Sequence, residues 1–168
     1  MEVMLATELP YRPCVGIMLI GRDGRVWVGR RRPKWAGQTA RHIWQMPQGG
    51  IAAGERPLEA ALRELEEETG VVSVEVLAEA PGWLTYDLPE ELLGVALKGR
   101  YRGQRQKWFA MRFIGEPAEI DIGPRGGRKA EFEAWRWAPA SHLVDLVVPF
   151  KRNVYREVVA AFAGYVAY

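Results

Sequence analysis

GGIAAGERPLEAALRELEEETGV, from Gly49 to Val71, reads as a glycine-rich loop that runs into a helix. Glycine permits tight turns and close approach of backbone to a neighbour or a ligand. Pro57 suits a first helical turn, where its missing N–H would have no partner anyway. Good helix formers follow as far as Thr69, and Gly70 supplies the stop. At about 100° per residue, Leu58, Leu62, Leu65 and Thr69 share one face, with Ala61 at its edge, and this face is expected to pack on a core. Glu64, Glu67 and Glu68 stand at i, i+3 and i+4, so their carboxylates converge on a neighbouring face. Glu59 and Glu66 are expected to point to solvent. Arg63 lies one turn from both Glu59 and Glu67 and can hold either.

Crowded carboxylates repel, by roughly 0.2–0.5 kcal/mol for Glu64 with Glu68 alone. A divalent cation turns that cost into a binding site. Oxygen ligands without His or Cys suit Mg²⁺ or Mn²⁺, and Mg²⁺ completes its shell with water and substrate phosphates, so a phosphate chain is the expected substrate. Taken alone, an acidic helical run is more often a solvated face. Here the run sits in a fixed frame, G-x5-E-x7-R-E-U-x-E-E-x-G-U with U aliphatic. Gly49, Glu55, Arg63, Glu64, Leu65, Glu67, Glu68, Gly70 and Val71 fill every fixed position of it. The stretch thereby resembles the box of the Nudix hydrolase family. The resemblance implies an α+β fold, an α/β/α sandwich with a mixed β-sheet between helices.

At 168 residues the chain is most simply one domain, 1–168, with room for a substantial core. Its 48% apolar and 26% charged residues are ordinary for a soluble globular protein. The net charge is only +2, yet its distribution is uneven: residues 57–91 carry ten acids and one base, whereas residues 98–112 carry six bases and no acid. An acidic metal-binding patch beside basic walls suits a polyanion bridged by cations. The single cysteine, Cys14, excludes an intrachain disulfide and lies in an apolar run, as a core residue would. No signal peptide, lipidation motif or membrane-spanning apolar run is present, so a cytoplasmic location without a membrane partner is expected.

Upstream of the box, Cys14–Ile20 reads as a buried strand, Asp23-Gly24 as a turn, and Val26–Gly29 as the returning strand. This is similar to the hairpin that opens Nudix proteins, whose strand end faces the substrate; Arg31 is the choice for a phosphate contact among Arg30, Arg31 and Arg32. Residues 33–42 read as a loop longer than the family requires. Trp44–Gly50, WQMPQGG, is similar to the bacterial RNA pyrophosphohydrolase branch, which also acts on dinucleoside polyphosphates. There the family uses a backbone carbonyl near Gln48-Gly49 as a further metal ligand.

Downstream, Val71–Ala80 reads as a strand, and Tyr86 falls where dinucleoside polyphosphate hydrolases carry a tyrosine; a plain strand aromatic is the alternative. Arg100–Gly115 interleaves bases with aromatics, a pattern that serves either a nucleic-acid track or a core strand with solvated arginines. The family places a further metal-binding glutamate before a W-x-W segment, which implies Glu131, with Glu133 as substitute. Pro149 opens a last helix whose Val154, Val158, Phe162 and Tyr165 recur at helical spacing. By resemblance Phe150 stacks on a base, and Arg12, Arg31 and Lys151 hold phosphates; core packing is the alternative for Phe150. His42 and His142 form no recognisable motif.

The implied reaction is water attack on phosphorus, removing pyrophosphate from 5′-triphosphorylated RNA ends, cleaving dinucleoside polyphosphates, or both. Glu64, Glu67, Glu68 and Glu131 are the implied metal ligands, Glu64 the candidate general base, and Arg63 a group that orients Glu67. Glu55 is placed to position Arg63 or a metal. The alternative is a non-catalytic Nudix module that binds nucleotides or RNA ends. The longer loop after Arg32, Ala52-Ala53 and the extended 123–130 loop depart from the branch pattern.

Overall fold

Alternation along the first apolar run sets up two cores. In the computed structural model, which describes residues 8–32 and 42–167, strand β1 spans Tyr11–Ile20. Val15, Ile17 and Leu19 face one cluster of buried side chains, and Met18 and Ile20 face another across the sheet. Strand β7, Gly103–Phe113, lies parallel to β1 along its whole length, from Tyr11 opposite Gly103 to Ile20 opposite Arg112. Trp108 and Ala110 continue the second cluster, while Phe109, Met111 and Phe113 continue the first.

The other pairings are antiparallel. Strand β2, Val26–Arg30, returns beside β1 through the Asp23-Gly24 turn and also pairs with β3, Trp44–Gln45, and β8, Ala134–Ala138. Strand β4, Gln48–Gly50, joins β1. Strands β5, Val74–Glu79, and β6, Leu84–Asp87, take opposite ends of β7. The sheet is therefore mixed, with the order β3-β2-β1-β7-β5 along its main path.

Helix α1, Pro57–Thr69, covers one face, and α2, Leu143–Leu146, with α3, Arg152–Ala161, covers the other. This is the α/β/α sandwich expected from the sequence. On the α3 side, the Trp108 ring meets Tyr155 edge-on at 5.8 Å, and the Tyr155 hydroxyl accepts a hydrogen bond from the Met46 N–H at 2.9 Å. That bond ties α3 to the link between β3 and β4. Among the described residues no helix is long and apolar enough to cross a membrane. The loop expected over residues 33–42 lies outside the described residues except for His42.

Two expectations about helix faces need correction. Ala60, Ala61, Leu65 and Thr69 are the buried residues of α1, whereas Leu58 and Leu62 each remain 38% exposed. The small Ala60-Ala61 pair lets the helix approach the sheet closely, and this rotates Glu64 and Glu68 inward. In the C-terminal segment Val154, Val158 and Phe162 are buried, but Tyr165 is not. Helix α3 ends at Ala161 and a 3-10 turn, Ala163–Tyr165, breaks the period.

Candidate active site

Strand β4 and helix α1 meet over a glycine doublet. Gly49 lies opposite Val15 and Gly50 opposite Cys14, which fixes both against the central strand. A Cβ on Gly49 would overlap the Glu64 carboxylate, and one on Gly50 would overlap the Arg12 guanidinium. The doublet thus lets an acid from one side and a base from the other lie directly on backbone.

Arg63 organises the acids around it. Its Nε and Nη2 donate to the two Glu55 oxygens at 2.7 and 2.8 Å, a bidentate pair. Nη1 donates to Glu64 at 2.8 Å and Glu67 at 3.1 Å, and Nη2 also reaches the Gly50 carbonyl at 2.9 Å. Of the two partners expected from helical spacing, Arg63 takes Glu67; Glu59 pairs with Arg56 instead. Glu55 also accepts from the Ala52 N–H at 2.9 Å, so Arg63 first and this bond second pull its pKa down to about 2.

Glu64 and Glu68 meet the opposite environment. Burial pushes the Glu64 carboxyl up despite its bond to Arg63. Glu68 is pushed well above the ordinary range, first by burial and then by the Glu131 and Glu64 charges, against one hydrogen bond from the Gln48 N–H at 3.3 Å. Carboxylates crowded in this way offer oxygen donors of the kind a hard divalent cation takes. Among the described residues no three such side chains yet converge as a finished cage. Arg63 holds Glu64 and Glu67, and Arg128 also pairs with Glu67. Arg128 is 62% exposed, so its pairing contributes little to stability.

Glu64, Glu68, Glu131, Gln48 and Gly49 line a cavity of about 460 Å³. Arg12, Arg31, Lys151, Tyr86 and Phe150 line the same cavity. The two rings stand 5.5 Å apart, and the Lys151 ammonium lies 5.6 Å from the Tyr86 ring. Glu67 lies outside this cavity, lining an adjoining one with Glu64, Glu68 and Glu131. Glu133 points elsewhere, pairing with Arg30 at 3.1 Å and Arg32 at 3.4 Å. Cys14 is fully buried, and burial raises its thiol pKa to about 11.

Several cavity residues carried no sequence signal. Gln104 lies opposite both Arg12 and Tyr86 in the strand register and lines the cavity while buried. Gln106 donates to Gln104 at 2.8 Å and to Gln48 at 3.3 Å, which fixes the side chain beside Gly49. Lys151 donates to Gln45 at 3.4 Å. Of the bases in 100–115, none lines this cavity: Arg102 and Arg105 lie over the Tyr11 and Trp83 rings at 4.7 and 4.2 Å, and Lys107 donates to the Ala80 and Gly82 carbonyls.

Comparison with known proteins agrees with this geometry. A family model described as NUDIX domain matches residues 10–158. An RNA pyrophosphohydrolase of Mesorhizobium japonicum is 61% identical over 160 residues, covering 92% of this chain and 91% of its own. An RNA pyrophosphohydrolase of Rhizobium meliloti is 56% identical over 165 residues, covering 95% and 98%. Among solved structures, the E. coli dihydroneopterin triphosphate pyrophosphohydrolase is similar in fold, with a TM-score of 0.63 at 19% identity, covering 90% of this chain and 98% of its own. A C. elegans Ap4A hydrolase binary complex gives 0.61 at 16% identity, covering 92% and 99%.

Proposed function

The chain belongs to the Nudix family, and from that premise we propose that it removes pyrophosphate from 5′-triphosphorylated RNA ends. Dinucleoside polyphosphates such as diadenosine tetra- and pentaphosphate are a second substrate class, since they carry the same phosphoric anhydride. The observation that carries this reading is a single cavity lined both by the carboxylates of Glu64, Glu68 and Glu131 and by Arg12, Arg31, Lys151, Tyr86 and Phe150. The relatives named RNA pyrophosphohydrolase at 56–61% identity favour RNA as the main substrate. Work on RNA ends would place the protein in the cytoplasm.

In this reading Glu64, Glu67, Glu68 and Glu131, with backbone carbonyls at Gln48-Gly49, hold Mg²⁺ or Mn²⁺. The ion supplies charge neutralisation on phosphoryl oxygens and makes a nearby water easier to deprotonate. Glu64 takes the proton from the attacking water. Arg63, which grips Glu55, Glu64 and Glu67 from one guanidinium, keeps the acids in place and touches no substrate. Arg12, Arg31 and Lys151 hold the phosphate chain, and Tyr86 and Phe150 offer rings to a base. Water adds across the anhydride between the α and β phosphates, yielding pyrophosphate and a 5′-monophosphate RNA. On a dinucleoside polyphosphate the same step gives two mononucleotides.

Incubation with 5′-triphosphorylated RNA and Mg²⁺ or Mn²⁺ is expected to release pyrophosphate, and EDTA to stop it. Tight binding of the RNA end with no release under either metal would establish the non-catalytic alternative instead.

A further inference from the structure

We propose that the RNA strand beyond the 5′ end leaves the cleft beneath the turn at residues 95–102, where Lys98 and Arg100 hold its phosphates and Tyr101 meets a base. The inference rests on RNA being the substrate and adds where the rest of the strand lies.

A second cavity of about 290 Å³ adjoins the first, lined by Arg12, Leu97, Lys98, Arg100 and Tyr101. It shares Arg12 and Leu97 with the substrate cavity, so the two lie side by side. Lys98 and Arg100 are exposed, and among the described residues no carboxylate pairs with either. Asp87, at the end of β6, is already taken by Arg102 at 3.1 and 3.3 Å and by the Tyr11 hydroxyl. The two cations therefore face solvent uncompensated at the exit of a site that binds polyphosphate.

The backbone there is also held in an unusual shape. Leu97 (φ 54°, ψ 39°) and Lys98 (φ 58°, ψ 21°) are consecutive left-handed residues that carry side chains, a conformation glycine would adopt without strain. Such strain collects at ligand clamps, where packing over-determines the backbone. Leu97 supplies that packing against the α3-side core, and the turn then throws Lys98 outward. Cations flanking a half-buried aromatic match a single strand, which presents phosphates and bases in alternation. A dinucleoside polyphosphate has no chain beyond its second nucleoside.

The test compares the wild-type protein with Lys98→Ala/Arg100→Ala and Lys98→Glu/Arg100→Glu on 5′-triphosphorylated RNAs of two, four, eight and twelve nucleotides, and on diadenosine tetraphosphate. Wild-type kcat/KM is expected to rise with RNA length. The alanine pair should lose about tenfold on the eight-nucleotide RNA at low salt, and its salt slope should fall by about 1.4, the value for two single-strand phosphate contacts. The glutamate pair should lose more, and all three proteins should agree within twofold on diadenosine tetraphosphate and share one melting temperature. Wild-type turnover independent of RNA length, or an equal loss on every substrate, overturns the inference while leaving RNA-end hydrolysis intact. Hydrolysis of diadenosine tetraphosphate with no RNA of any length cleaved overturns the RNA reading itself and the strand path with it.

Discussion

Two groups of carboxylates near helix α1 meet opposite treatment. In the cleft, burial and like charges oppose ionisation of Glu64 and Glu68. Beyond the helix C-terminus, Glu119 accepts hydrogen bonds from the Ser73 hydroxyl at 2.6 Å and from the Ser73 and Val72 N–H groups at 2.9 Å each, and these hold its pKa down. One cluster is built for folding and is already satisfied. The other is desolvated and crowded by like charge, as expected of a functional site. Glu55 belongs with the first group although it borders the second, because Arg63 neutralises it fully.

Three substitutions test that division, beginning with the largest effect. Glu68→Gln keeps an oxygen to accept from the Gln48 N–H and removes a charge from a crowded site. Turnover of triphosphorylated RNA is expected to fall about 10³-fold, the kinetic equivalent of several kcal/mol of lost transition-state stabilisation, while the melting temperature holds or rises. Near-normal turnover would end the comparison, since Glu68 would then be an ordinary buried acid.

Arg63→Lys offers one cation where a planar fork served three acids and a carbonyl. Activity is expected to drop roughly 10–100-fold through misplacement of Glu64 and Glu67. Metal titration read by tryptophan fluorescence should shift to weaker apparent affinity, a readout that damage confined to the fold would not move.

Glu119→Ala should leave kcat unchanged and cost about 1–2 kcal/mol in urea unfolding at neutral pH, discounted for partial exposure of the carboxylate. The fold lowers the Glu119 pKa, so its contribution is complete above the unfolded glutamate value of about 4.3 and is lost as pH falls through the lower folded value. The gap between variant and wild type should therefore shrink when unfolding is repeated near pH 3. A gap that persists there would assign the stabilisation to packing instead of charge.

Much of the fold was legible in the chain because punctuation residues carry it. Pro57 and Gly70 bracket α1, Gly70 in the left-handed conformation with its N–H bonded to the Glu66 carbonyl at 2.8 Å. The unbroken apolar run Cys14–Ile20 announced a buried strand, and the structure covers both its faces. The rotation of α1 was not legible, because periodicity ranks Leu58 and Leu62 above two alanines. The close approach of the Ala60-Ala61 pair decides the matter and turns Glu64 and Glu68 toward the protein. At the site, the choice between Glu131 and Glu133 depended on Arg30 and Arg32, which lie about a hundred positions away and take Glu133. Gln104 and the left-handed Leu97-Lys98 pair had no local sign at all, since neither a strand glutamine nor a strained lysine announces its setting.

The Gly49-Gly50 doublet carries a consequence for anyone who would re-engineer this cleft. An added methyl at Gly49 would push the Glu64 carboxylate off the strand that seats it, and one at Gly50 would do the same to the Arg12 guanidinium. A saturation library across residues 45–55 should accordingly return two blank columns at 49 and 50, flanked by far more permissive ones at Ala52 and Ala53, which lie exposed.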